Sequence, residues 1–317
     1  MPSNSSNLPD GVEDLTTPDS LELETLRRSL IDFYQSKSFQ LTYPSLIEFA
    51  DAIGGEQNTS LRDSAFTFFD DLSSNELAIR PDISQQIARI DQAEESDKEQ
   101  RYCYVGEVLK KRKDSFSQSR ITIKAGIEIF GGEDNKFEAI SLLSDSMKIG
   151  NLTELTLSFG KTEILAEIIE PLNLNYNDGI VLNKIISSKS KSDLSSWVKD
   201  RKVQKDLVNK LLTLIDCNGD LSIISKLKNI QTSDAHLSEI ENIWDFIEKE
   251  TCFSPHIDLT DFPGFNYHDG LVFSAHSDKY GFSIANGGEY FSQTLSGKQK
   301  SAIGFDQDII AMIKLKA

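Results

Sequence analysis

Apolar and polar residues alternate along this chain in patterns that predict most of its elements. After a polar, turn-rich start with Pro9, Gly11 and Pro18, the residues Leu23, Leu26, Leu30, Phe33 and Tyr34 recur at helical spacing. Asp19 and Glu22 ahead of them are the acidic residues expected at a helix N-terminus. Phe39, Leu41 and Tyr43 alternate up to Pro44 and predict a strand. Leu46, Ile47, Phe49 and Ala50 predict a short helix halted by Gly54 and Gly55, and the polar residues 58–64 a loop. Residues 65–69 and 76–80 form a hairpin pattern. Pro81 then fixes the backbone at the switch into a helix carrying Ile83, Ile87 and Ile90.

The stretch that organises the rest is 101–131, two strands joined by a long basic loop. In its second half Ile121, Ile123, Ala125, Ile127 and Ile129 alternate with Thr122, Lys124, Gly126, Glu128 and Phe130. Such strict alternation marks a strand with one buried face and one that meets something polar. Tyr102, Tyr104, Gly106, Val108 and Lys110 share a face of the first strand by the same rule. Antiparallel pairing would place Tyr104, Lys110, Lys124 and Glu128 in one trough, with Gly126 leaving its floor open. Lys124 and Glu128 are about 13 Å apart along the strand, too far for a direct ion pair and suited to a small ligand bearing both charges.

Gly131 and Gly132 end that strand, and Phe137, Ile140, Leu143 and Met147 return to helical spacing. Leu152, Leu155, Leu157 and Phe159 lead to Gly160 as another strand. From 161 to 250 Leu, Ile, Lys and Ser dominate and glycine nearly vanishes, which predicts a separate helical insertion between a core domain of 1–160 and 251–317. Within it, 184–196 is a solvated loop or helix edge. Residues 270–275, 280–285 and 301–305 read as short strands with Gly287 and Gly288 as a turn, and a helix over 309–315 closes the chain. Antiparallel strands flanked by helices give an α+β class, with no βαβ alternation that would indicate a doubly wound parallel sheet.

Composition narrows the function classes. With 317 residues the chain can bury a sizeable core without disulfides or metal. Its 50 Asp and Glu against 33 Lys and Arg give a formal charge of −17, against broad electrostatic binding to nucleic acid. Cys103, Cys217 and Cys252 are odd in number and far apart, as expected of a reduced, cytoplasmic protein. His236, His256, His268 and His276 lack zinc-ligand spacing, and neither glycine pair has a phosphate-loop context. No signal-peptide core or membrane-length apolar run is present, so no metal, cofactor or membrane partner is expected.

Seven ordered blocks then carry a family resemblance. They are LPDGVEDL (8–15), IRPDISQQIARI (79–90), CYVGEVLK (103–110), KAGIEIFG (124–131), YHDGLVF (267–273), IANGGEY (284–290) and AIGFDQD (302–308). Together they resemble the histidyl-tRNA synthetase catalytic fold of the class II synthetases. The resemblance is strongest to its non-synthetase paralogue, the regulatory subunits of short-form ATP phosphoribosyltransferase. A class II synthetase, as the resemblance implies, activates its amino acid through arginines on two motifs and appends an anticodon domain. Here Lys110 stands at the motif-two arginine, Arg112 at an acidic position, Pro263 at an arginine before the Tyr267 block and Ala311 at the arginine closing the last motif. Alanine and proline supply no cation to clamp an α-phosphate, and lysine gives a point charge only. Ala317 follows one helix later. Adenylation and tRNA charging are therefore not expected; the alternative reading is a minimal histidyl-tRNA synthetase-like, amino-acid-adenylating enzyme.

The resemblance also assigns a candidate histidine-binding set. Asp82 and Ser84 match the acidic and hydroxyl positions for the substrate amino group, Glu128 keeps its carboxylate, Tyr267 and His268 form an aromatic pair beside the imidazole slot, and Gly287, Gly288 and Tyr290 close over it. Lys110 and Lys124 add cations for a carboxylate. Three positions depart from the pattern: Lys124 replaces a glutamine, Glu289 an arginine and His268 a tyrosine. The implied function is a non-catalytic regulatory subunit that activates a separate catalytic ATP phosphoribosyltransferase at the first step of histidine biosynthesis. L-histidine is the implied effector, and a homodimer within a hetero-oligomer the implied assembly.

Overall fold

The computed structural model describes residues 7–54, 59–111, 119–132, 134–260 and 268–316. Helix α1 (Asp19–Ser36) buries Leu26, Leu30, Ile31 and Tyr34, the stripe expected from its spacing. It is followed by the short strands β1 (Gln40–Leu41) and β2 (Ile47–Phe49), helix α2 (Thr59–Ser64), the hairpin β3 (Phe66–Asp70) and β4 (Asn75–Ile79), and helix α3 (Ser84–Glu94). The long pair β5 (Gln100–Leu109) and β6 (Ile121–Phe130) comes next, then α4 (Lys136–Ile149) and β7 (Leu155–Lys161). Residues 162–250 supply α5 (Thr162–Ile169), α6 (Tyr176–Ser187), α7 (Lys191–Arg201), α8 (Lys205–Ile215), β8 (Asn218–Gly219), α9 (Ile223–Asn229) and α10 (Asp234–Glu250). The chain returns through β9 (Phe253–Asp258), β10 (His268–Ser277), β11 (Tyr280–Gln293), β12 (Gln299–Asp308) and α11 (Ile309–Lys316). Among the described residues no helix is long and apolar enough to cross a membrane.

Among the described residues the main sheet runs β1-β5-β6-β12-β11-β10-β7-β9-β8. Its long central strands pair antiparallel, as the sequence predicts, while β1 with β5 and β7 with β9 pair parallel. One face of the sheet presents Cys103, Val105, Ala125, Ile127, Ile129, Ile303 and Phe305 to a core completed by α1, α4 and α11. Each such fully buried aliphatic side chain contributes about 1.5–3 kcal/mol. The buried Tyr34 hydroxyl meets Ser146 Oγ at 3.0 Å and accepts from Gln307 Nε2 at 2.9 Å, whereas the buried Gln307 Oε1 has no partner among the described residues. The helices from 162–250 share that core. Lys136 on α4 and Lys161 at the end of β7 both pair with Glu239 on α10.

Three local expectations are corrected. Residues 46–50 form β2 and a single 3-10 turn (Ala50–Ala52), because Ile47 and Phe49 find strand partners in Ile79 and Leu77. The expected loop at 58–64 contains α2, which is polar in composition but anchored by Leu61 against Ala50, Ile53, Ala65 and Ala78. Gly287 and Gly288 make no turn; they lie within β11, paired with Phe305 and Gly304. A Cβ on Gly287 would stand 2.5 Å from the Phe273 ring and 2.6 Å from the Gly304 carbonyl oxygen, so glycine serves close approach of strand and ring. The stretch 184–196 is the end of α6 and the start of α7, with Leu194 buried and Lys189 paired to Asp258 at 2.7 Å.

The small sheet β2-β4-β3 is built the other way round from an ordinary half-exposed sheet. Its register puts Ile47, Phe49, Phe66, Phe68, Leu77 and Ile79 on one face, and none of the six is buried. Phe49 is 57% exposed. The opposite face turns Ala78 inward.

Candidate functional site

The second face of the main sheet forms a cleft, and Arg80 sets its wall. This buried guanidinium donates to the carbonyl oxygens of Glu107 and Pro44, both at 2.8 Å, and so fixes the end of β4 against β5. Leaving β4 there, the chain carries Asp82 and then Ser84, the first residue of α3, over β6. Ile83, Ile87, Tyr102, Tyr104, Val108, Phe130, Tyr290 and Ala302 pack beneath α3 as a small second core. Lys300 on β12 holds the far end of α3 through Asp91 at 3.0 Å, a pair in which both side chains are nearly sealed from water.

Register explains what the floor exposes. Tyr102 lies opposite Glu128, Tyr104 opposite Gly126 and Gly106 opposite Lys124, so these side chains share a face. From the other side β12 places Gly304 opposite Glu128, Asp306 opposite Gly126 and Asp308 opposite Lys124. Two glycines make room: a Cβ on Gly126 would lie 2.6 Å from the Tyr104 hydroxyl, and one on Gly304 would collide with the Glu128 carboxylate. Tyr290, beside Ala302, donates its hydroxyl to Glu128 Oε2 at 2.8 Å. Ser84 Oγ stands 3.2 Å from the Tyr104 hydroxyl and also hydrogen-bonds Glu128.

The electrostatics are dominated by carboxylates that are buried or partly buried. Burial raises the Glu128 carboxyl to about 8; Asp82 and Asp306 push the same way, and the Ser84 and Tyr290 hydrogen bonds oppose it. Glu128 is 1% exposed. Asp82 is likewise raised, by burial and then by Asp306, against the pull of the Ile83 amide, Lys110 and Lys124. Lys124 Nζ donates to Asp306 Oδ1 at 2.6 Å, both side chains being 17% exposed. Burial alone would lower that lysine, but Asp306, Asp308 and Asp82 outweigh it and hold it above its ordinary value. Tyr104 is raised by burial and by the surrounding carboxylates.

Of the sequence-predicted set, Asp82, Ser84, Lys124, Glu128 and Tyr290 converge on the cleft. Lys110 stands just past β5, its amide donating to the Arg120 carbonyl oxygen at 3.0 Å and its charge acting on Asp82. Gly288 sits on the floor beside Gly304, Gly287 faces the core beside Phe305, and His268 opens β10 opposite Tyr290. Tyr267, Arg112 and Pro263 lie outside the described residues. Ala311 is buried in α11, whose first turn is capped by Asp308 through the amides of Ile310 and Ala311 at 3.0 and 3.1 Å.

The arrangement sets carboxyl groups that suit a cation beside hydroxyls that can donate or accept, over glycines that admit the Tyr104 and Glu128 side chains. A model of the histidyl-tRNA synthetase family matches residues 11–312 of the chain. A Polynucleobacter asymbioticus protein named ATP phosphoribosyltransferase regulatory subunit is 30% identical over 319 residues, covering 97% of this chain and 82% of its own length. The chain belongs to the ATP phosphoribosyltransferase regulatory subunit branch of the histidyl-tRNA synthetase family. A regulatory subunit of Thioalkalivibrio sulfidiphilus is 27% identical and covers 99% of this chain and 82% of its own. Solved structures show the same class II fold. An ATP phosphoribosyltransferase regulatory subunit/histidyl-tRNA synthetase from Bacillus halodurans superposes with a TM-score of 0.81 at 19% identity, covering 97% of this chain and 82% of its own. The ATP phosphoribosyl transferase complex from Thermotoga maritima contains a chain that superposes at 0.68 and 16% identity, covering 93% of this chain and 98% of its own.

Within this family fold, the acids that sequence reading missed are Asp306 and Asp308. A signal was present: in AIGFDQD they alternate with Gly304, which places them on the Gly304 side of β12 and therefore in the cleft.

Proposed function

We propose that the chain is the non-catalytic regulatory subunit of a short-form ATP phosphoribosyltransferase in the cytoplasm. It assembles with a separate catalytic subunit and raises that subunit's activity in joining ATP to phosphoribosyl pyrophosphate, the first step of histidine biosynthesis. The near-full-length similarity to proteins named as such regulatory subunits carries the reading. The cleft supports it, since carboxyls and hydroxyls are retained while alanine occupies a position where the synthetase pattern has an arginine.

L-histidine is the effector this cleft suits. Its ammonium fits against Asp82, and its ring edge against Glu128 and Tyr290. Near neutral pH Glu128 is largely protonated and can donate to one ring nitrogen, or as a carboxylate accept from the other. Feedback requires histidine to bind two assembly states with different affinity, and a coupling of about 1–3 kcal/mol gives several-fold inhibition.

The apolar face of the small sheet supports assembly with a second copy of the chain. Exposed Ile47, Phe49 and Phe68 form a contiguous patch of the kind that interfaces cover. Phe49→Glu is expected to shift the molecular mass measured by light scattering from dimer to monomer; an unchanged mass removes this face from the interface. The functional reading is tested by mixing the purified chain with a short-form catalytic subunit from the same organism. A rise in phosphoribosyl transfer with co-elution of the two chains is expected, as is a fall on adding L-histidine. No rise and no co-elution would refute it.

A further inference from the structure

The Lys124 ammonium lies where an amine ligand would find its acidic partners. Its Nζ is 2.6 Å from Asp306 Oδ1, on a face flanked by Asp308 across the β6–β12 pair and overhung by Asp82 from the start of α3. Both members of the pair are mostly buried, and Asp306, Asp308 and Asp82 together more than offset the desolvation of the lysine. The Asp306 carboxylate, one of the groups that would welcome a free ammonium, is thus already paired with one belonging to the chain.

We propose that Lys124 is a tethered competitor that sets the concentration at which the cleft accepts a primary amine, so that this subunit responds to its effector only at a raised threshold. The proposal rests on the reading of the cleft as an amine site. A group held on the neighbouring strand of the same sheet acts at an effective concentration in the millimolar range or above, so a free amine must compete with that to displace it. The opposite role, with Lys124 reaching for a ligand carboxylate, would strip Asp306, Asp308 and Asp82 of their nearby cation in a site poor in water. A glutamine at this position would offer amide hydrogen bonds without a charge to compete.

The ligand class follows from this geometry. The cleft takes compounds with a primary ammonium, and a carboxylate on the ligand adds little at the Lys124 end. L-histidine and histamine, which carries the same ring and ammonium but no carboxylate, separate the two roles.

Isothermal titration of the full chain with each compound is the test, comparing wild type, Lys124→Gln and the charge-balanced double variant Lys124→Gln/Asp306→Asn. Both variants are expected to bind L-histidine and histamine about tenfold or more tightly than wild type, because in each the Lys124 charge no longer offsets Asp82. Thermal melts confirm that the variants fold, and the double variant preserves the charge balance if the single one does not fold. Equal or weaker affinity in the variants overturns the proposal. So does a loss confined to L-histidine, which would make Lys124 a carboxylate clamp, and so does the absence of heat with every protein. Activation of the catalytic partner by the wild-type chain is measured separately. Failure there would sink the regulatory reading and leave the competition result standing.

Discussion

The two faces of β6 follow one another residue by residue and have opposite characters. Ala125, Ile127 and Ile129 enter a core of aliphatic and aromatic side chains that the helices cover. Lys124, Gly126 and Glu128 face a cleft where a lysine, several carboxyls and three hydroxyls lie close together, with glycines in place of side chains on the floor. Both faces are largely buried, so burial alone does not distinguish a core from a site. The difference is in what burial costs: on the helix side it stabilises, and on the cleft side it raises carboxyls against their ordinary values. Perturbed carboxyls set this close together cluster at functional sites, and structural ion-pair networks produce them too.

The largest expected contrast comes from truncating the helix-covered face. Ile127→Ala removes a fully buried side chain and is expected to cost about 2–5 kcal/mol of unfolding free energy in denaturant titration. A loss below 1 kcal/mol, by the same scale, would show that this face is loosely packed and the contrast overstated.

On the cleft face the expected effect depends on pH. Glu128 has its carboxyl raised from 4.5 to about 8, so the folded chain holds a proton that the unfolded chain has released. Its penalty is absent below 4.5, grows as pH rises and is complete above about 8. Stability should therefore fall by about 1.4 kcal/mol for each pH unit crossed in that window. Asp82, raised as well, acts in the same direction. Glu128→Gln should flatten the curve and leave the variant more stable than wild type at pH 8; parallel curves for the two proteins would contradict the assignment.

Tyr290→Phe is the smallest change. It removes the hydroxyl that donates to Glu128 at 2.8 Å and should cost about 1 kcal/mol at alkaline pH, where the carboxylate needs that donor. The midpoint of the pH transition should also move upward, because the lost hydrogen bond favoured the ionised form. A midpoint that moves down would mean that the hydroxyl serves the protonated carboxyl.

The sequence made the β5–β6 trough legible because period-2 alternation over ten residues leaves only one way to turn Glu128 and Lys124 to the same side. Helix α1 was equally plain from its apolar stripe. Short elements were harder to read. The three-residue β2 takes its form from β4, a partner some thirty positions away in the chain, and α2 depends on one leucine. Gly287 and Gly288 carry the composition of a turn, but both lie within β11 and the role of Gly287 comes from a ring and a carbonyl on neighbouring strands, which a one-dimensional pattern does not display. The Lys124–Asp306 pair spans 182 positions and required the β6–β12 register to be seen. It changes the chemistry of the cleft more than any residue in the original set, because it commits a cation that the spacing had left free for a ligand.

If the cleft is the proposed amino-acid site, and Ala311 stands where the resemblance puts a phosphate-clamping arginine, the chain should bind without activating. The most direct test is ATP–pyrophosphate exchange by the purified chain with saturating L-histidine. No exchange above the protein-free background is expected, and the same preparation should accelerate a short-form ATP phosphoribosyltransferase catalytic subunit. Sustained, histidine-dependent exchange by the chain alone would show that other cations complete the site and that the chain is an adenylating enzyme.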